Sequence, residues 1–341
     1  MEQYSNREIV MQALGKEHIK TIPAFIVGNA YVMTHTNVDP QMYQKDKGVF
    51  VQANIDFRKE YGTCINYAGG YMDVPGIIAG GLSNSEGDIS KSGEDTIHSI
   101  EDFNKLRKFD IGSSRMLEAA VGRIQEYKKL DPDTPIMAIV DNSAMVTSVL
   151  VGASTYYRCL MRNKEFIHKL TELVEPMIMS GLEKLAEVGC DIIWFPMPTM
   201  GGTCISKKLY TELCHPYSAK MVECVRNLGM KAIIHTCGDW NDRFDVVLEE
   251  KPDAIHLSQA IMSDFAKTYG NQVCMMGNIS VVDTLLYKNQ DEIYAECVQE
   301  CETACQYGNY MIGPDCGAPA ALKVENVKAM YRAGKDVSAK L

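Results

Sequence analysis

Eight short apolar runs, most of them followed by a segment with helical spacing, dominate the pattern of this 341-residue chain. Within each run the apolar residues are continuous rather than alternating, which is typical of parallel strands that are buried on both faces. The runs cover residues 21–28, 63–67, 136–140, 192–195, 232–234, 254–257, 273–276 and 310–312. Eight buried strands alternating with helices predict an α/β fold, a (β/α)8 TIM barrel that forms a single domain over residues 1–341.

The segments between the runs carry apolar residues at helical spacing, and several end in Gly. They predict helices over residues 6–15, 163–188, 206–228, 291–307 and 323–338. Residues 69–135, between the second and third runs, are too long for a plain connection and contain Gly-rich polar stretches. Because long loops of compact domains usually bind or cover ligands, we expect an insertion that forms a lid over the barrel mouth. Residues 28–31 and 83–88 are expected to belong to that mouth.

Composition excludes several classes of function. The net charge of −10 disfavours nucleic acid as a partner. No apolar run reaches the roughly 18–20 residues of a membrane span, and the polar N-terminus lacks the apolar core of a signal peptide. We therefore expect a cytoplasmic protein that does not enter a membrane. Its twelve Cys are then expected to be reduced thiols, and together with twenty Met they indicate an anaerobic host.

Two soft metal ligands, His235 and Cys237, stand one residue apart directly after the fifth run, and Cys316 follows the eighth. In a TIM barrel, reactive side chains lie at the carboxyl ends of the strands, so all three are expected on the same face. The fifth and eighth strands are not neighbours, and the loop that carries Cys316 must therefore fold inward over the mouth. Gly313 and Gly317, with a proline between them, permit such a bend.

The three candidate ligands form a set that suits zinc, since one imidazole and two thiolates are ligands that this ion prefers. Three protein ligands with an open fourth position are typical of a catalytic rather than a structural site. Zinc in this shell is formally neutral and a modest Lewis acid, yet it can deprotonate a bound thiol, whose pKa starts near ~8.5. A shell of three imidazoles would instead favour the activation of water. The ligand set therefore favours methyl or alkyl transfer to sulfur over hydrolysis.

Each of these residues also has an ordinary interpretation as part of the core, because an isolated His-x-Cys pair is a weak signal and free Cys is often simply buried. His215 is expected to pack rather than to bind a metal, and the role of Cys204 stays open. The Gly-x-Ser-x-Gly, Walker A and His-Glu-x-x-His motifs are absent from the sequence. Nine further cysteines are expected to be buried thiols outside any site: Cys64, Cys159, Cys190, Cys214, Cys224, Cys274, Cys297, Cys301 and Cys305.

Over nearly its whole length the chain resembles the uroporphyrinogen decarboxylase superfamily, and within it the corrinoid-linked methyltransferases that methylate coenzyme M. That branch carries a His-x-Cys motif and a distant Cys in a Gly-Pro-x-Cys-Gly-like loop as zinc ligands, which correspond here to His235, Cys237 and Cys316. Supporting matches are residues 6–7 and 22–23, His215-Pro216-Tyr217, and Gly277-Asn278-Ile279. The resemblance implies a zinc cofactor, a corrinoid (methylcobalamin) co-substrate carried by a partner protein, and a small-molecule methyl acceptor or donor.

The resemblance leaves the substrate open. Members of the thiol-methylating branch often carry acidic residues where this chain has residues 195–198 and residues 256–259. A thiol acceptor is favoured, but the alternative is an O-demethylase component that transfers methyl from a methoxylated aromatic to the corrinoid. In that case an apolar pocket would be lined by Trp194, Phe195, Met197 and Tyr67. His256 is a candidate fourth ligand in the empty state. Substrate or corrinoid is expected to be positioned by Tyr67, Asp141, Asn142, Met197 and Asn278.

Two further interpretations belong to other classes. A decarboxylase of uroporphyrinogen type needs no metal and holds propionate groups with Arg residues near the first strand. Residues 28–33 contain no Arg, which argues against porphyrinogen chemistry. A non-catalytic binding barrel would leave the three soft ligands without a role.

Overall fold

The computed structural model describes residues 4–17, 19–70, 97–106 and 115–341 of the chain. Seven parallel strands, β1 to β7, pair in the order of the sequence within one sheet. They are Asn66–Gly70 (β1), Ile136–Ile139 (β2), Ile192–Pro196 (β3), Lys231–Thr236 (β4), Ala254–Leu257 (β5), Cys274–Met276 (β6) and Tyr310–Met311 (β7). Seven of the eight apolar runs therefore overlap strands, although the run over residues 63–67 shares only its last two residues with β1, and the predicted class of a (β/α)8 barrel is confirmed.

The first apolar run closes the barrel without becoming a regular strand. Ala24 forms a single parallel bridge with Ile312. The N–H of Phe25 donates to the carbonyl of Ile312 (3.0 Å), and the N–H of Cys64 donates to the carbonyl of Ala24 (2.7 Å). The run thus lies between β7 and the segment that leads into β1. Pro23 has no N–H and cannot contribute to a full ladder, which explains why the predicted strand is reduced to a bridge.

The sheet separates two layers of core, because alternate residues of a strand point to opposite faces. The outer layer lies between the strands and the helices. Ile233 and Ala254 point to the inside of the barrel. His235 and His256 each lie two residues further along the same strands, so both imidazoles also point inward. The inner layer of the sheet contains Phe25, Val27, Tyr67, Met137, Ile139, Ile192, Trp194, Ile233, Ala254, Cys274, Met276 and Met311.

The first helix, Asn6–Gly15, closes the amino end of the barrel. Val10, Ala13 and Leu14 are buried and belong to the inner layer. Asn309, which precedes β7, donates its side-chain amide to the carbonyl of Ala13 (3.0 Å) and so joins the end of this helix to the sheet. The side chains of the candidate site lie at the opposite, carboxyl end of the strands.

Helices cover the outer face of the sheet in the described part of the chain. They are Asn29–His35, Pro40–Lys45, Lys47–Tyr61, Ile100–Leu106, Arg115–Leu130, Ser143–Val151, Ala153–Arg162, Lys164–Glu187, Lys207–Leu213, His215–Asn227, Phe244–Glu249, Met262–Tyr269, Gln290–Cys305 and Val324–Ser338, with a π-helical turn at Val281–Leu285. Four of the five predicted helices are confirmed to within two residues at each end. No helix among these described residues is long and apolar enough to cross a bilayer.

The helix predicted over residues 206–228 is instead two helices, Lys207–Leu213 and His215–Asn227, that meet at Cys214. Pro216 lies in the first turn of the second helix, where its missing N–H costs nothing but where it cannot continue a preceding helix. Residues 28–31, predicted as a loop, are helical from Asn29 onward.

The expected insertion over residues 69–135 is described in part. Its described elements are the end of β1, Ile100–Leu106 and Arg115–Leu130. Tyr127 of the last helix is buried and donates its hydroxyl to the carbonyl of Tyr67 (3.0 Å), which fastens that helix to β1. Residues 83–88 lie outside the described residues, so the lid and the single-domain organisation stay predictions.

Candidate metal centre

His235, Cys237 and Cys316 come together at the carboxyl end of the strands. One ligand atom of each lies within 4.8 Å of the others, and Cys316 Sγ is 3.7 Å from His235 Nε2. His235 is buried, whereas both cysteines are half-buried. The meeting of residues 81 positions apart is therefore a feature of the fold, while their role as metal ligands stays a prediction.

The pairing of β4 with β5 places two imidazoles side by side. His235 and His256 are partners in the register, and their ring centroids are 4.4 Å apart. The indole of Trp194, on β3, stacks on the His235 ring at 4.7 Å and an interplanar angle of 17°. Directly after Cys237 the chain turns at Gly238, whose φ of +84° lies in the left-handed region that favours glycine.

The loop that carries Cys316 is held over the barrel by backbone pairing. Beyond β7 the chain continues alongside the segment that follows β6, with a parallel bridge between Ile279 and Pro314. The N–H of Asp315 donates to the carbonyl of Ile279 (2.8 Å). Gly313 permits this path for a steric reason, because a Cβ there would lie 2.4 Å from the ring of Phe25. The inward bend inferred from the glycines is thus produced by close packing of the backbone.

One hydrogen bond fixes the protonation pattern of His235. Its Nδ1 is 3.2 Å from the carbonyl oxygen of His256, and a carbonyl can only accept, so Nδ1 carries the proton. Nε2 is then left with its lone pair, and it faces Cys316 Sγ. This is the tautomer that a metal-ligating imidazole needs, with the remote nitrogen held by a backbone oxygen.

The two cysteines share a proton unequally. The hydrogen bond from Cys237 lowers the pKa of Cys316 to about 4. The same interaction, followed by burial, raises the pKa of Cys237. At neutral pH the pair therefore consists of one thiolate and one thiol, and a cation that uses both sulfurs must displace the remaining proton.

The donor set fits a zinc ion in chemistry and in size. With Zn–N of about 2.0 Å and Zn–S of about 2.3 Å, tetrahedral geometry requires an N···S separation of about 3.5 Å. The 3.7 Å between His235 Nε2 and Cys316 Sγ is close to that value. Three ligands would leave one coordination position for a substrate, as in catalytic zinc sites.

His256, a candidate fourth ligand on sequence grounds, has both ring nitrogens engaged elsewhere. The indole Nε1 of Trp194 donates to its Nδ1 (3.1 Å), and its Nε2 lies 2.8 Å from the carbonyl of Pro314. The residue is fully buried. Burial, reinforced by the neighbouring His235, lowers the pKa of His256 well below its usual range and keeps the ring neutral.

Two candidate positioning residues follow strands at this end and each keeps one polar atom without a partner in the described part of the chain. Asn142, after β2, uses Oδ1 to cap the helix Ser143–Val151, which leaves its buried Nδ2 unpaired. Asn278, after β6, donates its Nδ2 to two carbonyls of residues 258–260, and its buried Oδ1 is unpaired. Buried polar atoms normally have partners, so one donor and one acceptor are available for a ligand.

The carboxyl group of Glu300 supports the position of Asn278. It accepts the backbone N–H of Asn278 (2.9 Å) and the hydroxyl of Tyr310 (3.0 Å). Burial raises the pKa of Glu300 to about 7. The sequence offered no sign of this contact, because Glu300 lies in the middle of an amphipathic helix.

The remaining predicted positioning residues lie in different layers. Tyr67 and Asp141 are buried, and Tyr67 belongs to the inner layer. The side chain of Met197 belongs instead to the outer layer with Phe195, and only its backbone N–H reaches the site, where it donates to the carbonyl of His235 (3.1 Å). The apolar wall expected from Phe195 and Met197 therefore does not face the barrel interior with Trp194.

Other features near the centre were missed from the sequence. Trp240 is buried and donates its Nε1 to the carbonyl of Cys237 (3.0 Å), which supports the turn after that ligand. Asp315 accepts the N–H of Val281 (2.9 Å), and burial raises the pKa of its carboxyl. Their proximity in sequence to Cys237 and Cys316 was the signal that could have identified them. Cys204 is exposed, whereas the nine other cysteines outside the centre are buried or half-buried.

Comparison with curated proteins finds methyltransferases of Methanosarcina species. A methylcobamide:CoM methyltransferase of Methanosarcina acetivorans is 21% identical, over 98% of this chain and 99% of that protein. A methylated-thiol–coenzyme M methyltransferase of Methanosarcina mazei is 20% identical, and the match covers 64% of this chain and 58% of that protein. In this second case the chain matches little more than half of the relative.

Solved structures with the same fold include a methyltransferase from Methanosarcina mazei, with a TM-score of 0.79, 16% identity and coverage of 98% of this chain and 99% of that one. A B12-independent methionine synthase from Shewanella has a TM-score of 0.55 and 14% identity, with coverage of 94% and 97%. These likenesses show the barrel fold. A family model described as uroporphyrinogen decarboxylase (URO-D) matches residues 5–337. Because this match spans nearly the whole sequence, the chain belongs to the uroporphyrinogen decarboxylase family.

Proposed function

We propose that this protein is a zinc-dependent methyltransferase that moves a methyl group between the cobalt of a corrinoid and a small-molecule heteroatom, with a thiol as the preferred acceptor. The observation that carries the proposal is the cluster of His235, Cys237 and Cys316, whose ligand atoms lie within 4.8 Å of one another. The relatives, a methylcobamide:CoM methyltransferase and a methylated-thiol–coenzyme M methyltransferase, support the same reaction class.

Zinc held by one neutral imidazole and two thiolates would lower the pKa of a substrate thiol while leaving its sulfur electron-rich. The protein's own part is to keep the three donor atoms in place and in the right protonation state. His235 presents Nε2 because its Nδ1 donates to the carbonyl of His256. Trp194 covers one face of the His235 ring, which excludes water from that side. In the thiol direction the carbon–cobalt bond would break with its electron pair left on cobalt, the thiol proton would be released to solvent, and a carbon–sulfur bond would form.

Substrate contacts are proposed for the two unpaired amide atoms. Asn142 Nδ2 is a donor suited to an anionic or carbonyl oxygen, and Asn278 Oδ1 is an acceptor suited to an N–H or O–H group. Tyr67 and Asp141 are further candidates at the ends of neighbouring strands. A corrinoid-carrying protein is the proposed partner and methyl donor, since a bulky cofactor is best delivered to an open end of the barrel.

The alternative in which a methoxylated aromatic donates its methyl group has less support from the geometry. That alternative relied on an apolar pocket of Trp194, Phe195 and Met197, yet the last two side chains belong to the outer layer. Decarboxylation of a porphyrinogen is disfavoured because residues 28–33 contain no Arg to hold propionates. A thiol acceptor therefore remains the preferred substrate class.

The test is an anaerobic demethylation assay. Zinc-loaded protein is mixed with methylcobalamin and each member of a panel of thiols, including coenzyme M, and the loss of the methylcobalamin spectrum is followed. We expect turnover with at least one thiol, and its loss in Cys316→Ala. Cys224→Ala is a matched control, since Cys224 is half-buried and packs on the outer layer away from the centre.

A parallel assay supplies cob(I)alamin and phenyl methyl ethers. Methyl transfer only in this direction would replace the thiol acceptor by the demethylase alternative. Purified protein that holds less than about half an equivalent of zinc, with the same content in Cys316→Ala, would overturn the metal centre. Decarboxylation of uroporphyrinogen by zinc-free protein would reject methyl transfer altogether.

A further inference from the structure

The ring of His256 connects two segments that the chain brings together from distant positions. Its Nδ1 is 3.1 Å from the indole Nε1 of Trp194 on β3, and its Nε2 is 2.8 Å from the carbonyl oxygen of Pro314. Pro314 stands two residues before Cys316, on the loop that folds over the barrel. The side chain therefore links the wall of the barrel to the loop that delivers the second sulfur.

These two contacts specify a single state of the ring. An indole N–H can only donate, so Nδ1 of His256 must accept and carries no proton. A carbonyl can only accept, so Nε2 carries the proton and donates to Pro314. Protonation of the ring would break the bond with Trp194, and coordination of a metal by either nitrogen would cost one of the two bonds. The arrangement thus satisfies His256 completely as a neutral residue.

The backbone of the same residue holds the other half of the centre. The carbonyl of His256 accepts from Nδ1 of His235 (3.2 Å) and from the hydroxyl of Thr236 (3.2 Å). His256 therefore fixes the tautomer of His235 through its carbonyl and the position of the Cys316 loop through its ring.

Packing leaves the ring no freedom to change partners. His256 is fully buried, and Phe25 meets it edge-on with ring centroids 5.0 Å apart at 90°. Gly277 lies against the same ring, since a Cβ at that position would be 3.2 Å from His256 Cδ2. A side chain so enclosed holds the loop that carries Cys316 at a fixed position relative to β5.

We propose that His256 is a positioning residue that preassembles the three-ligand centre, and that it is not itself a ligand. The inference rests on the proposed metal centre, but it concerns how the ligands are held and so can fail separately. Groups that hold ligand residues typically contribute about 10- to 100-fold to metal affinity.

The experiment compares three variants. His256→Phe removes both ring hydrogen bonds while filling the space, and His256→Gln keeps one acceptor and one donor on separate atoms. His168→Phe is the matched control, because His168 is half-buried and bonds to the hydroxyl of Tyr217 (2.8 Å) in the helix layer. Zinc affinity is measured by chelator competition, and X-ray absorption of the zinc-loaded protein counts the imidazoles and sulfurs around the ion.

We expect one imidazole and two sulfurs from the protein in the wild type and in His256→Phe, with zinc affinity weakened about 10- to 100-fold in the variant. His256→Gln should recover most of this loss, and His168→Phe should stay within about twofold of the wild type. A second imidazole in the wild-type spectrum would show that His256 is a ligand and overturn the proposal. Unchanged affinity in a folded His256→Phe protein would overturn it as well.

Two safeguards keep the outcomes separable. If His256→Phe does not fold, Trp194→Phe takes its place, because it removes the donor to Nδ1 of His256 and keeps an aromatic ring on His235. Zinc affinity of Trp194→Phe equal to that of the wild type would then count against the proposal. Wild-type protein that binds no zinc would refute the proposed function itself, whereas zinc binding that is indifferent to His256 refutes only the positioning role.

Discussion

Two buried polar clusters of this barrel differ in what they leave unused. The first, called here the His235 cluster, consists of His235, Cys237, Cys316, Trp194 and His256 inside the barrel mouth. The second, the Glu250 cluster, lies between helices on the outside of the sheet and is described in the next paragraph. Both contain histidines and both are removed from solvent, yet only one has donor atoms that point at one another.

In the Glu250 cluster a buried carboxylate receives three donors. The hydroxyls of Tyr210 and Ser218 and the Nδ1 of His215, 3.1 Å away, all bond to Glu250. Burial raises the pKa of Glu250, and its three partners counter that effect. The cluster joins Lys207–Leu213, His215–Asn227 and the end of Phe244–Glu249. The hydrogen-bonding groups of this cluster are thus satisfied by one another, which indicates a structural role.

In the His235 cluster the supporting atoms are satisfied and the soft donors are not. Both nitrogens of His256 and the Nδ1 of His235 have partners, whereas His235 Nε2 and the two sulfurs have mainly each other. The comparison teaches that the remaining bonding capacity of a buried cluster, rather than its burial or its histidines, distinguishes a ligand site from a structural network.

The largest effect is expected when one of the three candidate ligands, whose donor atoms have mainly one another as partners, is removed. Cys316→Ala should reduce zinc from about one equivalent to near zero and lower methyl transfer by at least ~100-fold, because two ligands do not complete a site. In zinc-free protein its free energy of unfolding should stay within about 1 kcal/mol of the wild type, since the thiol is only half-buried. Metal analysis and urea unfolding in the presence of a chelator provide both measurements. A strongly destabilised variant would mean that Cys316 has a structural role like that of Glu250.

The converse change is Glu250→Ala, which leaves three donors without their acceptor, and two of them, Tyr210 and Ser218, are buried. We expect a loss of about 3–4 kcal/mol in the free energy of unfolding, because removal of one partner of a buried charged network leaves the others unsatisfied. Zinc content of the folded variant should be unchanged. Urea unfolding measures the loss, with Glu249→Ala as control for an exposed neighbouring carboxylate. Loss of zinc at full folding would erase the distinction between the two clusters.

Gly313→Ala sharpens the comparison by moving a ligand without removing it. The added methyl group would meet the Phe25 ring at 2.4 Å, and the ring is buried and cannot move freely. We expect about 1–3 kcal/mol of destabilisation from overpacking, together with weaker zinc binding because the Cys316 loop is displaced. Gly317→Ala, where a Cβ meets only Val27 O at 3.8 Å, is the control. Equal effects of the two substitutions would argue against a fixed path for this loop.

The smallest expected effect is a change with pH in the contribution of His215 to the free energy of unfolding. The hydrogen bond with Glu250 raises the pKa of His215 above its unfolded value near 6.5, despite an opposing effect of burial. Glu249, 3.8 Å from the other ring nitrogen, adds to the same shift. The bond therefore stabilises the fold fully below pH 6.5, and this contribution is lost as pH rises through the folded pKa.

The difference in stability between wild type and His215→Gln should accordingly shrink from roughly 1 kcal/mol at pH 6 toward zero at higher pH, a small value because the ring is partly solvated. Urea unfolding at a series of pH values from 6 to 9 would detect it. A difference that grows with pH would mean that His215 is neutral in the folded protein.

Much of the fold was predictable because continuous apolar runs report burial on both faces. The same pattern could not reveal that the first run is only a bridge, since Pro23 interrupts the ladder through a missing N–H. The three soft donors were predictable because their types are unusual and their positions follow strands. The role of His256 was not, because it depends on the carbonyl of Pro314 and the indole of Trp194, and a sequence does not record which carbonyl a ring will meet. The sequence also could not reveal that the side chain of Met197 belongs to the outer layer, because a residue just beyond a strand has no fixed parity.

The helix Asn6–Gly15, packed into the amino end of the barrel, has a kinetic consequence. With that end closed, the donor and the acceptor of the proposed methyl transfer would have to share one entrance. A donor carried by a protein would cover the entrance once it is seated, so the small molecule should bind first and its methylated product should leave last. Product-inhibition patterns would then show a compulsory order. Random order would mean that a second route reaches the three ligands.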